Sequence, residues 1–174
     1  TKMGAWTGFS EATYWLDPKD PLFTKMAKRF VEIYNETYGP AEFYLSDSFN
    51  EMTPPVSEEN RYEELASYGR AIYDSISAAA PNATWVMQGW MFCSDKKFWD
   101  KKSIAAFLRD IPSDKVMIHD IANDRYDVWE DANAFFGKPW VFGYIHNYGG
   151  SNPVYGDFQF YHDKFQYAFN SANK

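Results

Sequence analysis

Apolar runs with few charges alternate with amphipathic stretches along the chain, and this alternation predicts a β-α rhythm. The apolar runs lie at residues 43–49, 84–92, 116–121 and 140–145, and each predicts a buried strand; the run 84–92 is typical of a strand covered on both faces. The stretches between them carry apolar residues at spacings of three and four, which indicates helices. Strands separated by helices of ordinary length predict parallel pairing through right-handed crossovers.

The first helix is predicted from its capping residues. Asp20 is a suitable N-cap for a helix whose first residue is Pro21, and Gly39-Pro40 ends it. Its predicted core-facing stripe consists of Leu22, Met26, Phe30 and Ile33.

The later helices are predicted from the same signals. Ser57 is the expected N-cap of the second helix, with Glu58 and Glu59 in its first turn. Residues 98–108 and 127–136 predict two further helices. The buried stripes expected for the second helix and for a last helix after residue 157 are Tyr62, Leu65, Gly69, Ile72 and Ile76, and Phe158, Tyr161, Phe165 and Phe169, respectively.

Each predicted strand ends in polar groups that are able to contact a sugar. These are Asn50 with Glu51, Gln88 with Trp90, Asp120 with Asn123, and His146 with Asn147. A (β/α)₈ barrel of the TIM type brings all such ends to one site. A doubly wound open sheet fits the β-α rhythm equally well, but Gly149-Gly150 lacks the glycine spacing of a phosphate-binding loop.

Glu51 is the carboxylate around which we interpret the chain. Glu51 follows the apolar run 43–49 and is therefore predicted to lie at the end of a strand. The next residues, Met52-Thr53-Pro54-Pro55, can neither continue a strand nor immediately begin a helix. An acid at that end of a barrel strand is a candidate catalyst. The alternative is a solvated loop residue, or a pair in which Asn50 and Glu51 tie down the turn.

Composition restricts the classes of partner. The net charge of −7 disfavours nucleic acid and anionic membrane surfaces. No apolar run approaches the roughly 18 residues of a membrane span, and residues 1–6 lack the apolar core of a signal peptide. Cys93 is the only cysteine, which excludes an internal disulfide and a cysteine-based metal cluster. We predict neither a cofactor nor a metal.

Five linked motifs resemble the α-N-acetylglucosaminidases of glycoside hydrolase family 89. The resemblance covers about residues 1–155, with the motifs in the same order and at nearly the same spacing. The motifs are Met3-Gly4-x-Trp6, Leu16-x-Pro18-x-Asp20-Pro21-x-Phe23, Phe49-Asn50-Glu51-Met52-x-Pro54-Pro55, Trp85-x-x-Gln88-Gly89-Trp90-x-Phe92 and His146-Asn147-Tyr148-Gly149-Gly150.

The resemblance implies a retaining exo-glycosidase that removes terminal α-linked N-acetylglucosamine and is built on a (β/α)₈ barrel. It implies that Glu51 is the general acid/base and that Asn50 hydrogen-bonds the sugar near its 2-acetamido group. Retaining hydrolysis also needs a second carboxylate about 5 Å away as the nucleophile. The family places this group in a Met-Ala-Pro-Glu motif downstream of His146 to Gly150, and that motif does not occur in this sequence.

The other site residues have structural alternatives. Trp90 resembles the family's sugar-site tryptophan, which stacks on the substrate, but a tryptophan here is also suited to core packing. Trp6 has the same two alternatives. His146 and Asn147 are candidates for contacts with sugar hydroxyls, or Asn147 supports the turn that follows it. Asp120 is a further candidate for the substrate site, or it makes a buried structural hydrogen bond. His119 precedes Asp120 on a strand and faces the opposite side, which argues against a shared metal.

An eight-stranded barrel takes roughly 250 residues, whereas the chain offers four or five β-α units. We therefore expect residues 1–174 to be a fragment of a single glycosidase barrel domain, inactive alone. The expected partners are a glycan with terminal α-N-acetylglucosamine and the remainder of the catalytic chain. The expected compartment is extracellular, periplasmic or lysosomal, with the signal outside this sequence. A non-catalytic carbohydrate-binding α/β domain is the alternative, and the missing phosphate loop disfavours an oxidoreductase.

Overall fold

A four-stranded parallel sheet organises the chain. The computed structural model describes residues 11–12, 14–144 and 157–172. The strands pair in the order β1-β2-β3-β4, so each strand lies beside its sequence neighbour. Their bounds are β1 (Phe43–Leu45), β2 (Thr84–Gln88), β3 (Val116–Asp120) and β4 (Trp140–Phe142).

The helices described by the structure connect and flank these strands. None of them has the length and apolar character needed to cross a membrane. Two short 3₁₀ segments, Ser113–Lys115 and Ala134–Gly137, complete the secondary structure. The helices are α1 (Pro21–Tyr38), α2 (Arg61–Ser77), α3 (Trp90–Ser94), α4 (Lys101–Arg109), α5 (Val128–Asp131) and α6 (Phe158–Ala172).

The core lies on one face of the sheet, between the strands and the helices. Trp85 and Ile118 point into it and are 1% and 0% exposed, and they join Leu65 of α2 and Phe107 of α4 in one apolar cluster. The opposite face, called here the inner face, carries exposed Leu45 of β1. Consecutive strand order with helices on one face is the arrangement of a barrel wall, whereas a doubly wound sheet covers both faces.

Three predicted apolar runs are shorter as strands than the sequence indicates. The run 84–92 leaves the sheet after Gln88, because Gly89 takes helical dihedrals (φ −66°, ψ −13°) and α3 begins at Trp90. The prediction failed because α3 is itself buried, and a short buried helix has the same uncharged sequence as a buried strand. The run 43–49 is likewise a strand only over β1, and within 140–144, the described part of the last run, the strand β4 ends at Phe142.

The predicted start of the second helix is also wrong. The helix begins at Arg61, with Asn60 at the N-cap position. Ser57 instead donates hydrogen bonds to Glu64 from its backbone N–H (2.9 Å) and its hydroxyl (3.0 Å), which ties the preceding loop to the first turn. The predicted stripe is otherwise correct, since Leu65, Gly69, Ile72 and Ile76 are buried and Tyr62 is exposed.

The predicted helix 127–136 is interrupted. After α5, four residues from Asn133 to Phe136 have positive φ values between 48° and 55°. Left-handed backbone at non-glycine residues is strained. The burial of Phe135, which is 0% exposed, is the packing interaction that holds this turn.

The capping prediction for α1 is confirmed, and the prediction of its buried face is wrong. The Asp20 carboxylate accepts a hydrogen bond from the backbone N–H of Leu22 at 2.9 Å, and Gly39 ends the helix with φ +87°. The buried side chain of α1 is Val31, and in α6 it is Ala168. The exposed members of the two predicted stripes are Leu22, Met26, Phe30, Ile33, Phe158, Phe165 and Phe169.

The Asp120 carboxyl is fully enclosed between β3 and α5. Its Oδ2 accepts a hydrogen bond from the backbone N–H of Trp129 at 3.0 Å, and a Cβ added at Gly89 would lie 3.4 Å from Oδ1. Burial raises the pKa of Asp120 to about 7, against the opposing effects of the Trp129 amide and the nearby Asn123 side chain. The carboxyl is therefore a structural link between a strand end and the helix that follows it.

Replacing Gly69 should destabilise the fold. A Cβ at this position of α2 would lie 2.1 Å from the Phe107 carbonyl oxygen of α4, so the helices would have to separate. We expect Gly69→Ala to lower the free energy of unfolding by about 3 kcal/mol, as overpacking does. Denaturant unfolding measures this, with Ser67→Ala on the exposed side of α2 as the near-neutral control. A Gly69→Ala protein more stable than wild type, as for an ordinary helical glycine, would contradict the close approach.

Asp120 should make stability depend on pH. An unfolded aspartate ionises near pH 4, whereas folded Asp120 stays protonated to about pH 7. The stabilisation that the raised pKa of Asp120 gives to the folded state is therefore complete below about pH 4 and is lost as pH rises towards 7. Compared with Asp120→Asn, wild type should lose stability across this window in denaturant unfolding. Exposed Asp114→Asn is the control and should follow wild type. A constant difference between Asp120→Asn and wild type across the window would show that Asp120 ionises normally.

Candidate functional site

The candidate site lies at the edge of the sheet where the parallel strands end. The loops 46–60, 89–100 and 121–127 follow β1, β2 and β3, and they are called here the rim. This is the edge at which barrel enzymes carry their chemistry.

Phe49 fixes the first rim loop. Its side chain is 1% exposed, and its ring lies 5.8 Å from that of Tyr68 and 6.5 Å from that of Phe107. Because Phe49 is held in the core, the chain turns outward after it, and Asn50 and Glu51 are both exposed. An apolar residue next to two polar ones thus places the polar pair at the rim.

Side-chain hydrogen bonds join the first rim loop to β2 and to the second loop. The Asp47 carboxylate accepts a bond from the backbone N–H of Gln88 at 2.8 Å. The Ser94 hydroxyl, at the end of α3, donates to the backbone oxygen of Asn50 at 3.1 Å. The Thr53 hydroxyl donates to Asp95 at 3.1 Å. The two loops therefore form one connected surface.

Glu51 and Trp90 meet at the centre of this surface. The indole Nε1–H of Trp90 donates a hydrogen bond to Glu51 Oε1 at 3.0 Å. Trp90 is half-buried, while the next residues of α3, Met91 and Phe92, are each 2% exposed. The packing of α3 thus orients the indole, which in turn orients the carboxylate. Such a held carboxyl at a barrel rim is suited to proton transfer with a bound sugar.

Tyr126, which the sequence did not single out, extends the aromatic surface. Its ring lies 5.9 Å from that of Trp90 at an interplanar angle of 71°, and its side chain is 38% exposed. The Lys96 ammonium lies 5.8 Å from its centroid. Tyr126 belongs to an irregular loop beyond β3, so no spacing pattern marks it.

A polar layer lies on the inner face just below the rim. Gln88 and His119 are paired in register on β2 and β3, and they alternate with the core-facing residues of these strands. Burial raises the pKa of Asp47, which bonds to the Gln88 amide, while that bond and the charge of His119 oppose the shift. Of these three residues, the sequence indicated only Gln88. Together they offer a donor and acceptor set for sugar hydroxyls.

The remaining predicted site residues divide into two groups. Trp6, His146 and Asn147 lie outside the described residues. Asp120 lies beneath the rim with its carboxyl enclosed, and its role in substrate binding stays a prediction. Across residues 11–12, 14–144 and 157–172, no group of three or more His, Cys, Asp or Glu side chains is placed to hold a metal ion.

Comparisons with known proteins agree on one family. The sequence profile of the alpha-N-acetylglucosaminidase (NAGLU) TIM-barrel domain matches residues 1–174. Human alpha-N-acetylglucosaminidase is 31% identical over 159 residues, which are 90% of this chain and 21% of that protein. The chain thus spans about a fifth of the length of this curated relative.

Solved structures show the same fold. Structures of a family 89 glycoside hydrolase from Clostridium perfringens, in complex with PUGNAc or with 2-acetamido-1,2-dideoxynojirmycin, match with a TM-score of 0.61 and 22% identity. A third form, with two glutamates replaced by glutamine, holds its substrate GlcNAc-alpha-1,4-galactose. Each match covers 86% of this chain and 16% of that one. The chain belongs to the alpha-N-acetylglucosaminidase TIM-barrel family, and its parallel sheet is part of that barrel.

Proposed function

We propose that this chain forms part of the catalytic barrel of a retaining exo-glycosidase that hydrolyses terminal α-linked N-acetylglucosamine. The observation that carries the proposal is the hydrogen bond of 3.0 Å from Trp90 to Glu51, at the rim of a parallel barrel wall. Human alpha-N-acetylglucosaminidase is named for this activity, and the Clostridium perfringens enzyme is described with GlcNAc-alpha-1,4-galactose as its substrate.

Glu51 is the general acid/base in this proposal. It donates a proton to the glycosidic oxygen as the bond to the anomeric carbon breaks, and it later takes a proton from the water that attacks that carbon. Because Trp90 donates to Oε1, the transferable proton belongs on Oε2. Asn50 hydrogen-bonds the 2-acetamido group, and the Trp90 ring contacts the sugar.

The second carboxylate comes from outside residues 1–174. A retaining mechanism needs this group about 5 Å from Glu51 to attack the anomeric carbon. We propose that the remainder of the barrel supplies it, and that Trp6, His146, Asn147 and Asp120 complete or support the sugar pocket. A terminal glycan as substrate suits an extracellular, periplasmic or lysosomal compartment.

Glu51→Gln tests the acid/base role in the full-length protein. We expect kcat on an α-N-acetylglucosaminyl disaccharide to fall by about 10³-fold, because the leaving oxygen is no longer protonated. Azide, which needs no general base, should restore turnover on N-acetyl-α-glucosaminyl fluoride and yield the α-configured glycosyl azide. Liquid chromatography and anomeric NMR measure both results.

The matched control is Glu58→Gln, an exposed glutamate that follows the same loop motif. It should hydrolyse the disaccharide at the wild-type rate. Equal sugar affinity of wild type and Glu51→Gln, with no product from either, would identify a non-catalytic binding domain. A product of inverted configuration would rule out the retaining mechanism.

Trp90→Phe should slow the proton transfer. The substitution keeps an aromatic ring but removes the donor that holds Glu51. We expect kcat on the disaccharide to fall about 10- to 100-fold, as for the loss of a hydrogen bond to a charged group. Trp99→Phe, which removes an indole from the core, is the control and should retain wild-type kcat. An unchanged kcat for Trp90→Phe would mean that the observed hydrogen bond has no part in catalysis.

A further inference from the structure

Tyr126 is linked to the candidate acid through a single residue. Trp90 donates to Glu51 through its indole nitrogen, while its ring lies 5.9 Å from that of Tyr126 in an edge-to-face contact. The side chain of Tyr126 is 38% exposed. An aromatic surface therefore continues from the carboxyl along the rim.

The backbone that carries Tyr126 is held in place. Its N–H donates to the Ala122 carbonyl at 2.8 Å. The side chain of Asn123, which is 2% exposed, donates to the Asp120 carbonyl and, at 3.0 Å, to the carbonyl of Gly143 next to β4. The turn is thereby bonded to the ends of two strands, so Tyr126 is a preformed platform.

Charged side chains border this platform. The Lys96 ammonium lies 5.8 Å from the Tyr126 centroid and 2.6 Å from a carboxylate oxygen of Asp131. Both side chains are more than half exposed. An aromatic ring beside exposed charged groups matches a hexose, which has one apolar C–H face and a border of hydroxyls.

The position of Glu51 decides which part of a glycan would lie there. A general acid protonates the glycosidic oxygen, so it stands at the boundary between the cleaved sugar and the leaving group. The polar layer of Asp47, Gln88 and His119 is on the inner face of the barrel, which is the side for the cleaved sugar. Tyr126 belongs to the loop that follows β3, beyond the strand residues that carry this layer, and its side chain is exposed.

We infer that Tyr126, with the edge of Trp90, forms the subsite for the leaving group and accepts a hexose through its apolar face. The inference rests on the proposed role of Glu51. In this inference Tyr126 binds the leaving-group sugar and does not contact the terminal N-acetylglucosamine.

Two substrates that differ only in the leaving group test this subsite in the full-length protein. Tyr126→Ala should lower kcat/KM about tenfold for an α-N-acetylglucosaminyl hexose. It should change kcat/KM less than twofold for N-acetyl-α-glucosaminyl fluoride, which has no leaving sugar. Tyr126→Phe keeps the ring and should match wild type on both. Tyr34→Ala, of similar exposure (43%) on α1, is the control and should leave both substrates unaffected.

Two outcomes would overturn the inference. Equal losses on both substrates would mean that Tyr126 supports the site as a whole, and no loss on the disaccharide would mean that the ring does not touch the leaving group. The Glu51→Gln variant separates this failure from that of the proposed function. If Glu51→Gln abolishes hydrolysis while Tyr126→Ala has no effect, only the subsite is wrong, whereas an active Glu51→Gln removes the basis for both.

Discussion

The burial of Phe49 is the interaction on which the site depends. This ring packs against Tyr68 of α2 and Phe107 of α4, so the layer that joins helices to sheet also fixes the loop after β1. With Phe49 inside, the following Asn50 and Glu51 must leave the core at the rim. The hydrophobic free energy that stabilises the barrel wall thus also positions the carboxyl. A loss of packing at the Phe49 ring would therefore displace the Glu51 carboxyl and also lower the stability of the fold.

The end of β2 repeats this arrangement with a helix in place of a loop. Met91 and Phe92 are buried, and their packing sets the orientation of Trp90 one residue earlier. Gly89 packs closely on β3, because a Cβ there would be in van der Waals contact with the Asp120 backbone and carboxyl at 3.4 Å. The enclosed Asp120 is therefore next to the backbone from which the indole projects, and the Gly89 N–H donates to the neighbouring His119 carbonyl at 2.7 Å.

The sequence predicts the architecture better than it predicts what covers each face. The β-α rhythm and the Asp20 cap are local signals, and both are correct. The stripe containing Phe30 has a correct helical period. The period does not show which element packs against the stripe, and Phe30 is 70% exposed. The pattern at Trp90 predicts a strand where the structure has a helix, because burial removes the polar residues that distinguish the two periods. Both errors have the same cause: tertiary contacts determine which face of a helix is buried and whether a short apolar segment is a helix or a strand.

The candidate site shows the same division between local and tertiary information. Glu51 and Trp90 were predicted as strand-end residues, and parallel pairing of β1 with β2 brings two such ends together. Tyr126 comes from a loop with no period, and only the fold reveals its contact with Trp90. Trp90 contacts both Glu51 and Tyr126. A shift of the indole caused by the leaving group would therefore also move the N–H that donates to Glu51. In the proposed mechanism, recognition of the leaving sugar and orientation of Glu51 are therefore coupled through the Trp90 side chain, and proton transfer is favoured when the leaving-group site is filled.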